Sequence, residues 1–565
     1  MTTSKPRPES LPPSSPLKKS YFHGACAEPL SGKTIGEVLE HEAELYPDRI
    51  AFKTHEFNEE ITVKDLHLKA IKVAKALLRS NLKKGDLVIA DNVTDIEYFS
   101  LYCGALLVGM IFISMKPRAV FIGRTHLQDA LPIYKQYSDS LDSNIPLVFV
   151  NTNSETFQQD FLHLEDFLDQ GKEITNEQFD RIKQQVSIDD AAVLFTSSGT
   201  TSDQDKSACV SHHTLVNIAK FGPAKNYLEE SSTGDLPRIN VAILSPKVDD
   251  AGALIAPIRC LVTRYTGVMA PTTLTSSPDS VEIFMTFVEK ERVVVDAGLP
   301  FQLIHSMNSP HRNKYDLSSL KSGNLLGQVI TAKTKAKLLA LFPDSVTYFG
   351  ATEAIAGCKT SLTYSTLEQR IHTVGRGYPH CEVKLVNDKD QVVPIGEQGE
   401  ICVRGWAVFK GYYNDDNLTS QAKSLDKNGW YHYGDIGTMD ETGHVTYIGR
   451  KSDCVRFKHY GDTVYPVKIL SILEADDRIS CSKVVGIPND EVGDDICLCV
   501  EPKPNCTVTE DELKELMEAK LIPSMMPDYY FIFDEFPRVG GRQKVSIKDI
   551  KEYVVSKLKE MKNKD

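Results

Sequence analysis

The chain has no Cys-x-x-Cys pair, no basic surplus, no peroxisomal address at its carboxyl end and no internal repeat. Its 12 cysteines are scattered and never cluster with histidine, which argues for a reduced compartment and against a disulfide framework or a metal cluster. A formal charge of −13 excludes generic nucleic-acid binding, which needs a basic footprint. The longest uncharged run, 98–115, is interrupted by Gly104 and Gly109. A buried helix feeding a buried strand explains it better than an integral membrane span. The opening residues carry Pro6, Pro8, Pro12, Pro13 and Pro16 and no apolar signal core, so secretion is not expected and segment 1–28 is expected to be disordered. A mitochondrial or cytoplasmic location is expected.

With 565 residues and 41% hydrophobic content, the chain can bury more than one core. From Thr34 onward, helix-like stretches (35–46, 63–78) alternate with short apolar strands (87–90, 146–150, 191–196, 240–244, 293–297). This rhythm predicts an α/β fold: doubly wound sheets covered by helices, in a large domain over 29–449. From Gln391 the strands shorten, predicting a small β-rich lobe. A mobile α+β domain is expected over 450–565, hinged between Gly449 and Asp453. Its Cys497 and Cys499 read as packing residues on one strand, and 550–561 as an amphipathic surface helix.

Three segments could carry chemistry. Residues 430–450 read as a hairpin turning at Asp440–Gly443, with Asp435 beside Gly434 and Arg450 just past the return strand. A carboxylate accepts both hydroxyls of a ribose, and a guanidinium suits ribose or phosphate oxygens. After the strand at 191, Thr196, Ser197, Ser198, Gly199, Thr200, Thr201 and Lys206 offer hydroxyls, backbone amides and a cation to phosphates. The loop is not a Walker P-loop. Farther on, Phe349, Gly350, Ala351, Thr352 and Glu353 follow another strand; glutamate can hold Mg²⁺ and threonine can bond a phosphate oxygen, although a helix start would look the same.

In this order, and with Gly399–Gly405, Val374–Pro379, Gly411–Tyr413 and Gly486–Asp494, these motifs resemble the adenylate-forming superfamily of AMP-dependent synthetases and ligases. Within it, the opening Ser20–Gly24 and the spacing of the last third are most similar to the medium-chain acyl-CoA ligases of the acyl-CoA synthetase family member 2 type. The resemblance implies that ATP, Mg²⁺, CoA and a fatty acid are the small-molecule substrates and cofactors. The carboxylate would attack the α-phosphate, and CoA would then displace AMP. It implies that Thr196–Thr201 and Lys206 grip the phosphates, with Gly350 and Ala351 lining the nucleotide site. Thr352 would contact the α-phosphate, Glu353 the metal, Asp435 the ribose, with Arg450 beside it. The adenylation lysine should lie in a Pro-x-x-x-x-Gly-Lys segment near the end. Counting from Pro537 without a gap puts Gln543 there; one residue absorbed by the turn at Gly540-Gly541 puts Lys544 there, and Lys544 is preferred.

Several positions depart from the family pattern. Ser202-Asp203-Gln204-Asp205-Lys206-Ser207 replaces Gly-x-Pro-Lys-Gly and brings two carboxylates toward triphosphate. Asp249 stands where histidine is expected, Gly323–Ile330 lacks the usual Gly-Ser/Ala-Pro, Tyr433 replaces threonine and Lys468 replaces glutamate. These departures keep open an alternative: a catalytically weak or inactive paralogue that binds nucleotide or acyl groups.

Overall fold

A computed structural model describes residues 8–91, 96–112, 119–122, 147–149, 162–197, 206–222, 237–243, 251–271, 274, 279–296, 300–326, 330–413, 425–451, 455–456, 463–464, 466–473, 476–489, 493–521, 525–539 and 544–562. The expected α/β layers are present. A seven-stranded sheet runs through Leu87–Asp91 and Ala191–Ser197, parallel except where Lys206–Ser211 returns antiparallel along one edge. A nine-stranded sheet is parallel from Val346–Ala351 through Ser322–Leu325 and Asn240–Ile243 to Ile50–Thr54, with antiparallel strands at both ends.

The uncharged run is a helix, Glu97–Leu107, followed by the short strand Ile111–Phe112. Residues 98–107 are all buried, in one core with Phe52 of the nine-stranded sheet and Phe112 of the seven-stranded one. Phe99 stacks on Phe52 with ring centroids 3.8 Å apart. That burial on every side explains the absence of charge, since each large apolar side chain removed from water contributes about 1.5–3 kcal/mol. Gly104 permits the approach of a neighbouring helix, because a Cβ there would stand 2.6 Å from Val73. No described helix is long and apolar enough to cross a membrane.

The β-rich lobe is a five-stranded antiparallel sheet: Tyr21–His23, Glu382–Val386, Gly399–Arg404, Tyr431–Met439 and Val445–Arg450. Its first strand comes from the segment expected to be disordered, and that expectation is corrected from residue 8 onward. Ser10 Oγ donates to Gly377 O at 2.6 Å, Arg376 donates to Ser10 O at 3.1 Å, and Leu17 N donates to Glu441 O at 2.9 Å. A proline-rich segment needs no core of its own when extended backbone can bond to a preformed surface. In the terminal portion, Ile479–Asn489, Gly493–Pro502 and Tyr529–Ile532 form a sheet. Ile550, Val554 and Leu558 of helix Ile547–Lys562 pack on its Cys497 and Cys499 face, which accounts for both the cysteine alternation and the amphipathic tail.

Candidate active site

The return hairpin forms as its sequence predicts, turning through Asp440–Gly443, where Gly443 N donates to Asp440 O at 3.0 Å. Its first strand carries a bulge. Glu400 of the neighbouring strand opposes Ile436 while Cys402 opposes His432, so Tyr433–Asp435 loops out around Gly434, whose φ is +70°. A bulge re-aims side chains. Here Asp435 comes to lie opposite Arg450, with Oδ1 3.2 Å from the guanidinium Nε. The carboxylate is 8% exposed and the guanidinium 53%, so a buried acceptor is paired with a cation that still reaches solvent. Gly434 N donates to Glu400 Oε1 at 3.2 Å, fixing the bulge. His432 and Lys451 hold the Glu400 carboxyl below its ordinary range.

Tyr433, in place of the family's threonine, is buried and donates to Ala354 O at 2.8 Å. Its ring lies 4.8 Å from that of Phe349 and 5.1 Å from that of Tyr431. The tyrosine therefore ties strand Tyr431–Met439 to the neighbouring turn. That turn is not a helix start: Val346–Ala351 and Ala354–Lys359 form a tight antiparallel hairpin with Thr352 and Glu353 at its tip. Glycine is required at 350, where a Cβ would stand 2.8 Å from Ile355 O.

Glu353 is held from the side. Tyr412 donates its hydroxyl to Glu353 Oε1 at 2.8 Å, and Phe409 N donates to Glu353 O at 2.8 Å. Burial first, and the Glu353 charge second, push the Tyr412 and Tyr431 phenols above the ordinary tyrosine range, so both stay protonated donors at neutral pH. Gly411-Tyr412-Tyr413 carries no local sign of this role in the sequence, because the partner of Tyr412 lies 59 residues away. The same 408–413 strap bonds to strand Lys206–Ser211: Cys209 N donates to Gly411 O at 2.9 Å, and Tyr413 N to Ser207 O at 2.9 Å. Lys206 opens that strand opposite Ser197, and Thr196 pairs with Ser207. Ser198, Gly199, Thr200 and Thr201 lie outside the described residues, as do Asp249, Asp453 and Gln543. Lys544 begins the short strand Lys544–Val545, paired with Val539.

The AMP-binding enzyme family model matches residues 39–413. The chain belongs to that family. The AMP-binding match covers both large sheets, and similarity to curated relatives runs farther. The chain is 25% identical over 558 residues to the mitochondrial medium-chain acyl-CoA ligase ACSF2 of Danio rerio, covering 93% of this chain and 89% of that one. It is also 25% identical over 587 residues to the acyl-CoA ligase sidI of Aspergillus fumigatus, covering 97% and 95%. Among solved structures, ATP-bound MatB from Rhodopseudomonas palustris superposes with a TM-score of 0.70 at 20% identity, covering 92% of this chain and 99% of that one. The anthranilate CoA ligase AuaEII in complex with anthranoyl-AMP gives 0.72 at 16% identity, covering 93% and 98%. The fold is that of the adenylate-forming enzymes, a large α/β domain followed by a smaller carboxyl-terminal one.

Proposed function

We propose that this AMP-binding family member is an AMP-forming acyl-CoA ligase acting on a medium-chain fatty acid. The observation that carries the reading is the convergence of Asp435, Arg450 and Glu353 through Tyr433, with the 408–413 strap joining Glu353 to the arm of the phosphate loop. In the first half-reaction the acid's carboxylate attacks the α-phosphorus of ATP and pyrophosphate leaves. In the second, the CoA thiolate attacks the acyl carbon and AMP leaves.

Asp435 would accept the ribose hydroxyls, Arg450 would face ribose or phosphate oxygens, and Thr352 would contact the α-phosphate. Gly350 and Ala351 would back the nucleotide, and Thr196–Thr201 with Lys206 would hold the polyphosphate. Glu353, a single half-buried carboxylate, suits Mg²⁺, which takes one or two protein carboxylates and draws its other ligands from phosphate and water. When bound, that ion would offset the charge of the leaving pyrophosphate. Lys544 would supply a cation to the α-phosphate from a terminal domain, 450–565, that moves about a hinge near Asp453. Medium chain length and a mitochondrial location are supported by the relatives that carry those words in their names.

The test is pyrophosphate release from ATP with a panel of fatty acids, followed by mass detection of the CoA thioester. Release with thioester formation supports the ligase. ATP binding without release from any acid would instead make the chain a nucleotide-binding paralogue.

A further inference from the structure

A buried guanidinium packed against the nine-stranded sheet forms no ion pair among the described residues. Arg259, on helix Ala251–Thr263, is 8% exposed. One guanidinium nitrogen donates to Asn324 Oδ1 at 3.3 Å. The Tyr348 phenol, which donates to Gly222 O at 2.9 Å, stands beside it. Both neighbours are neutral. Among the described residues Arg259 forms no ion pair, and its buried Nε meets no acceptor. A guanidinium taken from water without an anion is costly, and a bound anion would offset that cost.

The location points to a ligand. Asn324 is the next-to-last residue of strand Ser322–Leu325, and open α/β sheets bind ligands outside the carboxyl ends of their strands. Tyr348 lies five residues before Glu353 on the strand Val346–Ala351 that leads to the hairpin tip, roughly 15 Å along the chain. In the ligase reading, the strand that carries Tyr348 to Arg259 is the one that leads to the Glu353 tip beside the reacting carboxylate.

We propose that Arg259 is a specificity determinant that binds a second carboxylate at the distal end of the acyl substrate. The proposal rests on the ligase reading and narrows its substrate to α,ω-dicarboxylic acids activated at one end. Only the near carboxylate attacks ATP; the distal one stays ionised against the guanidinium.

The experiment compares octanoate with octanedioate on the full-length protein, by pyrophosphate release and by thermal shift with each acid alone. The expected result is a kcat/KM at least tenfold higher for octanedioate, carried mainly by KM. Arg259→Met should reverse that preference and abolish the octanedioate shift, while Arg259→Lys retains part of both. If Arg259→Met does not fold, a reduced preference in Arg259→Lys decides in favour and an unchanged ratio decides against. Preference for octanoate in the natural protein, or no shift with octanedioate, overturns the proposal while release from octanoate leaves the ligase reading intact. An Arg259-dependent shift without release from either acid upholds the site and removes the ligase.

Discussion

Replacing Asp435 with asparagine separates two roles that a buried carboxylate can combine. Asparagine keeps the shape of the side chain, so packing around the bulge is preserved. Arg450 loses its partner but is 53% exposed, and water can rehydrate it. The change in folding stability should stay within about 1 kcal/mol, as for solvent-accessible ion pairs. Nucleotide binding is a different matter. A ribose hydroxyl donating to a buried carboxylate makes a charge-assisted bond, and losing such bonds costs about 1.5–3 kcal/mol. That corresponds to about 10- to 150-fold weaker ATP binding. Calorimetric titration of the full chain with ATP, alongside its melting temperature, reads both quantities. A melting temperature within a few degrees and affinity within twofold of the natural protein would refute the assignment of Asp435 to the ribose.

Tyr412→Phe should slow acyl-adenylate formation by about tenfold and raise the Mg²⁺ needed for half-maximal rate, because one charge-assisted bond of about 1.5 kcal/mol no longer orients Glu353; an unchanged Mg²⁺ profile would show that the bond positions nothing. Lys544→Ala should suppress pyrophosphate release while sparing thioester formation from supplied acyl-adenylate, and greater damage from Gln543→Ala would shift the assignment by one residue. Burial pushes the His212 pKa down to about 4 while Nδ1 accepts the Ile35 N–H at 3.3 Å. The unfolded chain therefore takes up a proton first, and stability should fall by about 3 kcal/mol as pH drops from 6.5 through 4, a slope that His212→Gln should flatten in melting curves. Glu291 acts in a lower window: although burial opposes it, His55 and Lys53 together hold its carboxyl at about 2. Glu291→Gln should lower the melting temperature near neutrality, with the deficit closing as pH falls from about 4.5 toward 2.

The elements legible in the sequence were those whose signals are local. Helix Val63–Arg79 was readable from its apolar periodicity, helix Glu97–Leu107 from its uncharged run and following glycine, and the 431–450 hairpin from alternation and an Asp-Glu-Thr-Gly turn. The Asp435–Arg450 pair was legible because a hairpin brings near neighbours in sequence face to face. Partnerships between distant segments were not. Nothing near Glu353 announces Tyr412, and nothing in the proline-rich opening announces that Ser10 would find Gly377, 367 residues away. The hairpin at Thr352–Glu353 was ambiguous for a related reason: Thr-Glu after a glycine suits a first helical turn as well as a reversal, and pairing with Ala354–Lys359 decides between them.

The 408–413 strap has one more consequence. Its backbone is bonded on one side to strand Lys206–Ser211 and on the other to Glu353 itself. Neither neighbour can travel far alone without breaking those bonds. A shift of strand Lys206–Ser211 would thus be felt at the Glu353 carboxylate as a tug on a shared tether.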